Sequence, residues 1–209
     1  MSGKPYLVVE GELAALILRR LLPVDVVQGT ELVVAQGSYA VQSLATTLLG
    51  VRRRPLALVV DADTTNPSIV QEKVDLLRYL VRQGAGNVPY ALFVAVPQIE
   101  VVLLHDRSLF ERLIGKQLSD LEWRLALLSP KEAIDNLVGS PAGIEAIVLR
   151  LTDDDVKILR QLPLIKALSD FLEDQISAAE QITPMYQRTP ALAIAEPGVV
   201  YHIEETIEL

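Results

Sequence analysis

Apolar residues fall along the chain in two alternating patterns: short continuous runs, and longer stretches at helical spacing. Tyr6 to Val9 is a continuous run ended by Glu10-Gly11, and Leu13 to Leu22 then repeats apolar positions at helical spacing until Pro23 stops it. This predicts strand, tight turn, helix. Glu31 to Ala35 predicts a second strand, Gln36-Gly37-Ser38 a turn, and Tyr39 to Leu49 a helix. Leu56 to Val60 is a third β-rich run, closed by Asp61-Ala62-Asp63; Pro67 then sits where a first helical turn tolerates it, and a helix runs from Ser68 to about Arg82, ending at Gly84 and Gly86. Tyr90 to Val96 supplies a fourth strand, and Val101 to Leu104 begins a helix beyond Pro97.

From His105 to about Asp174 the spacing is helical throughout: Leu109 to Ile114, Leu121 to Leu128, Pro130 to Val138, Ile144 to Leu149, and Val156 to Ile176 broken at Pro163. Beyond Thr183 come Pro184, Pro190 and Pro197, and then strand-like alternation from Val199 to Ile207. Strands alternating with helices predict an α/β fold, a central mainly parallel sheet of about four strands flanked by helices. The organisation read from this is an α/β domain over residues 1–140, a helical extension packed on it over 141–183, and an extended tail with a terminal strand over 184–209.

Composition narrows the chemistry. Of 209 residues, 50% are apolar and only 5% aromatic, so the core is aliphatic, and a disordered chain is excluded. Lys and Arg total 19 against 27 Asp and Glu, a formal charge of -8. No overall basic field draws in nucleic acid, so such binding would need local patches or bound cations. The absence of cysteine excludes disulfides, thiolate zinc sites, iron–sulfur clusters and cysteine nucleophiles. Tyr6 to Val27 and Tyr90 to Leu104 are the most apolar stretches, and both are interrupted by charge. The expectation is a cytoplasmic protein without a membrane span or an export signal.

In a parallel α/β sheet, ligands gather beyond the carboxyl ends of the strands. Glu10 follows the first strand and Asp61 and Asp63 the third, so these acids are expected on one edge. Clustered carboxylates repel unless a cation sits among them, and hard oxygen ligands suit Mg²⁺ or Mn²⁺. Such an ion acts on phosphate by neutralising charge and activating the attacking or leaving oxygen. The plainer alternative is that Asp61 and Asp63 only cap or solvate a turn.

Val9-Glu10-Gly11-Glu12, Gly37-Ser38 opening the second helix, and Val59-Val60-Asp61-Ala62-Asp63 together resemble the Toprim domain. That family includes topoisomerases, primases, recombination factors and the overcoming-lysogenization-defect nucleases. Val96-Pro97-Gln98-Ile99-Glu100, Leu103-Leu104-His105-Asp106 and Ser129-Pro130-Lys131-Glu132-Ala133 extend the similarity to small stand-alone Toprim-like proteins, over about residues 5 to 140. The resemblance implies that Glu10 is the family's catalytic Glu and that Asp61 and Asp63 are its metal-binding pair. It implies a Mg²⁺- or Mn²⁺-dependent hydrolase acting on nucleic acid, most simply a nuclease. One departure stands out: the position four after Glu10, often acidic or polar in such enzymes, is Ala14.

Other candidates carry two readings each. Glu100 follows the fourth strand and joins the acidic edge as ligand, base or acceptor, or else is a first-turn acid favoured by the helix dipole. Lys131 contacts phosphate or is a solvated lysine, and Gly37-Ser38 presents backbone N–H groups to an anion or simply turns the chain. His105 is a general acid or substrate contact, or more simply a structural side chain, and Arg52 to Arg54 a phosphate clamp or, more simply, a solvated run at the amino end of the third strand. No Walker, dinucleotide-binding or nucleophile-elbow motif is present. The competing function is a non-catalytic interaction subunit of a defence or repair assembly. It would work beside a protein partner such as an ATPase or as a homo-oligomer, with the tail adding a strand to its neighbour.

Overall fold

Side-chain alternation along each strand sorts the apolar residues into two separate cores, one on each face of a single sheet. In the computed structural model the description covers residues 3–138, 141–180, 191–196 and 199–204; the last two stretches, and residues 38, 141, 142 and 180, are described as backbone only. Strands β1 (Tyr6–Glu10), β2 (Glu31–Ala35), β3 (Leu56–Asp61) and β4 (Tyr90–Ala95) are all parallel, in the order β2-β1-β3-β4. This is the α/β sheet the sequence predicts. Helices α1 (Glu12–Leu21), α2 (Val24–Gly29), α3 (Ser38–Thr47) and α4 (Pro67–Ala85) connect them, with a π-helical turn at Leu48–Arg52.

Tyr6, Val8, Leu56, Leu58, Val60, Leu92 and Val94 face α3 and α4, which contribute Val41, Ala45, Val70, Val74, Leu77 and Val81 to that core. Leu7, Val9, Ala57, Val59, Ala91 and Phe93 face the other way. There they meet α1, a 3₁₀ turn (Ile99–Leu104) and the helices α5 (Arg107–Ile114), α6 (Asp120–Leu128), α7 (Pro130–Val138), α8 (Pro141–Arg150), α9 (Asp153–Leu159) and α10 (Pro163–Glu180). Ile144, Ile147, Val148, Val156, Leu159, Leu168 and Leu172 belong to this same core, so α8 to α10 share the packing of the sheet.

The tail differs from the expected single terminal strand. Two strands form, β5 (Ala191–Glu196), parallel to β4, and β6 (Val199–Glu204), antiparallel to β5, and they extend the sheet to six. A parallel neighbour on β4 needs a crossover, and α10 supplies it. The expected strand residues beyond Glu204, and the prolines at 184, 190 and 197, lie outside the described residues. Among the described residues, no helix is long and apolar enough to cross a membrane.

Candidate functional site

Parallel pairing of β1, β3 and β4 brings the carboxyl ends of three adjacent strands to one edge, and the candidate acids follow those ends. Register places Val9 level with Val59 and Asp61 level with Ala95, so Glu10 and Asp61 differ by one residue in height. That single step matters. By strand alternation Glu10 continues the face of Tyr6 and Val8, and Asp61 continues the opposite face of Ala57 and Val59.

Backbone bonds stitch the turn after β3 to the one after β4. The Ala62 N–H donates to the Ala95 carbonyl at 2.8 Å and the Asp63 N–H to the Pro97 carbonyl at 2.8 Å. Asp61 Oδ1 accepts the Ile99 N–H at 2.8 Å, capping the 3₁₀ turn from the neighbouring loop. The plainer reading of Asp61 therefore holds for one of its oxygens. Asp63 adopts a left-handed conformation, φ 59°, which Asp tolerates better than most residues, and its exposed carboxylate meets Lys73 Nζ at 3.2 Å.

Glu100 is the most enclosed of the acids, 3% exposed, and its Oε2 has no hydrogen-bond partner. It stands in the first turn of a 3₁₀ helix, as the helix-dipole reading expects, and is packed under α7. Burial pushes its pKa up; its own backbone N–H and the Lys131 charge draw it back, while Asp135 and Asp63 push it further. Asp61 is raised to about 7, chiefly by burial and then by the charge of Glu100, with Asp63 and Glu10 adding to it and the Ile99 N–H opposing. Five carboxylates are thus linked by repulsion across this edge, through Asp61 and Glu100.

The loop after β4 also sets Lys131. Gln98 Oε1 accepts the Lys131 N–H at 3.3 Å, holding the start of α7 beside the 3₁₀ turn. Asp135, one helical turn on, brings a second carboxylate toward Glu100. Asp135 and Lys73 escaped the sequence reading, and Gln98 entered it only as part of a motif; the four-residue spacing of Lys131 and Asp135 was the available signal for the first.

Gly37 precedes α3 with φ 88° and ψ 155°, a conformation open essentially to glycine, and Gly11 before α1 is nearly identical. Neither helix start has a side-chain cap, and the two lie next to each other because Glu10 pairs with Ala35. The side chain of Ser38 is outside the described residues. Ala14 is buried in the core, 3% exposed, so an acid at this position would be driven into apolar packing. His105 is exposed. Arg54 lies at the far end of the sheet, bonded to Tyr6 Oη at 2.8 Å, to Glu31 at 2.7 Å and to the Lys4 carbonyl.

The donor chemistry suits a hard divalent cation: all carboxylate, partly buried, mutually repelling. The arrangement does not yet present a ligand set, because among the described residues no three His, Asp or Glu side chains are placed to hold one ion. Glu10, Asp61 and Asp63 share an edge without converging, for the reasons of strand face and Lys73 pairing given above. Comparison with family models, with curated proteins and with solved structures returns no match.

Proposed function

We propose that this acidic edge binds Mg²⁺ or Mn²⁺ and serves phosphodiester chemistry on nucleic acid, with cleavage as the simplest outcome. The carrying observation is that Glu10, Asp63 and Glu100 all oppose the ionisation of Asp61 at the carboxyl ends of adjacent parallel strands. A divalent ion relieves that repulsion. Asp61 and Glu100 would hold it together with Glu10 and Asp63, which are partly exposed and exposed, respectively. Such an ion would neutralise charge developing on a transferring phosphate. The Lys131 side chain, on the same edge, would contact a phosphate oxygen, and the adjoining starts of α1 and α3 would offer backbone N–H groups to the next phosphate. The Toprim resemblance points the same way.

Two measurements test this. Millimolar Mn²⁺ or Mg²⁺ should raise the melting temperature of the native chain, and Asp61→Asn, which keeps the oxygen that accepts from Ile99, should abolish the rise. Plasmid and single-stranded substrates should be cleaved with Mn²⁺ by the native chain and not by the variant. Unchanged melting in both proteins rejects the ion site.

A second reading is favoured by the absence, among the described residues, of a converged ligand triplet: the same fold as a non-catalytic subunit that binds a protein partner such as an ATPase. It predicts no cleavage with any metal, and native behaviour of the Asp61→Asn chain in partner binding.

A further inference from the structure

We propose that β2 is a self-complementary edge through which two copies of this chain join their sheets antiparallel across a two-fold axis at Val33. In the parallel ladder the Glu31 N–H donates to the Pro5 carbonyl at 2.9 Å and the Ala35 carbonyl accepts from the Gly11 N–H at 2.9 Å. Residues 31, 33 and 35 therefore spend their main-chain groups on β1. The N–H and C=O of Leu32 and Val34 point the other way, to the outer edge, where no described strand pairs with them.

Obligatory donors and acceptors in a row of partly exposed apolar residues form a template for another strand. Two of the devices that commonly blunt such an edge are missing: Glu31–Ala35 contains no proline and no lysine. Its single charge, Glu31, is neutralised by Arg54 at 2.7 Å, so two acidic molecules can meet here without a facing negative charge.

The second copy is the occupant that this geometry selects. With the axis at Val33, Leu32 of one copy lies opposite Val34 of the other, and both have outward groups, so each outward N–H finds an outward C=O. Val33 faces Val33 in a non-hydrogen-bonded pair, with Cα atoms about 4.5 Å apart. Glu31 lies opposite Ala35, which keeps the two glutamates about 14 Å apart along the strands. The acidic rims then point to opposite ends of the joined sheet, so this interface is independent of the cation site.

The chain's lack of cysteine makes the test direct. Full-length Val33→Cys should cross-link to a disulfide dimer under mild oxidation, since the facing Cα separation falls in the range a disulfide spans. Glu31→Cys, held far from its counterpart, should cross-link at least tenfold more slowly. Unmodified protein should sediment as a dimer, and Val34→Pro, which removes only an outward N–H, should weaken dimerisation at least tenfold with circular dichroism unchanged. The cation-induced rise in melting temperature should survive in Val34→Pro. Should Val34→Pro fail to fold, the cysteine pair still decides. A native chain that sediments as a monomer at hundreds of micromolar, or equal cross-linking of the two cysteine variants, overturns the proposal; in the first case the edge serves an extended segment of another protein or nothing.

Discussion

At Asp61, burial and the charge of Glu100 resist ionisation, the Ile99 N–H favours it, and the balance leaves the carboxyl at about 7. In the unfolded chain the same group titrates near 3.8. Between those values the folded state holds a proton that the unfolded state has lost, so stability falls as pH rises through this window and levels off above it. Glu100, shifted upward as well, acts in the same direction. The native chain should therefore melt higher at pH 5.5 than at pH 8, with the Asp61 part of the difference worth on the order of 2 kcal/mol. Asp61→Asn should flatten most of that slope; a native melting temperature that rises from pH 5.5 to pH 8 would contradict the assignment. Below about pH 4 the sign reverses, because Glu122, lowered to about 2 by Lys116 and the Ser119 N–H, loses favourable contacts on protonation. Gly37 offers a separate check on backbone conformation alone. An added Cβ there meets nothing within 4 Å, so Gly37→Ala should cost about 1 to 3 kcal/mol through φ strain and no clash, read as a lower urea midpoint.

The helices beyond β4 are held by their ends as much as by their faces. Thr152 and Asp155 form a reciprocal cap at the start of α9, and buried Asp155 also accepts from Arg112 of α5 at 2.5 Å. Asp155→Ala removes the cap acceptor and the link between helices together, and should cost about 1 to 3 kcal/mol; Thr152→Ala, keeping the Arg112 link, should cost about 1 kcal/mol. Equal losses in chemical denaturation would mean that the Arg112 contact contributes nothing. At this same scale the elements themselves were legible: apolar runs marked β1 to β4, and Pro67 marked the start of α4, where the structure adds Asn66 as a cap accepting the Ser68 N–H. The site was legible only as an edge. Chain order tells which strand ends share a side of the sheet, but not that Glu10 and Asp61 leave the sheet on opposite faces, since that depends on register between β1 and β3. Nor does local pattern show Lys73 reaching Asp63 or Glu100 sinking beneath α7, because both contacts join segments whose packing is tertiary.

Across the whole molecule, the sheet face carrying Leu7, Val9, Ala57 and Phe93 is covered jointly by α1, the segments after β4 and chain beyond residue 140. α8 and α9 lie against α1, and α10 against β3 and β4, with Phe171 edge-on to Phe93 at 6.3 Å and Ile176 beside Gly29. Arg160 fixes the same junction by donating to the Leu21 carbonyl at 2.6 Å and the Leu22 carbonyl at 3.1 Å, closing the end of α1. A chain cut at residue 140 would uncover Leu18, Leu21, Phe93, Phe110 and Leu113. Each large apolar side chain returned to water costs about 1.5 to 3 kcal/mol, so a handful matches the roughly 5 to 15 kcal/mol that holds an ordinary domain together. The truncated chain should therefore lose its cooperative melting transition and bind a hydrophobic dye, while the full chain does neither. A cooperative melt within a few degrees of the full chain, with no dye binding, would show instead that residues 1–140 fold alone. The acidic edge would then belong to a self-sufficient unit, and α8 to α10 would be an addition to it.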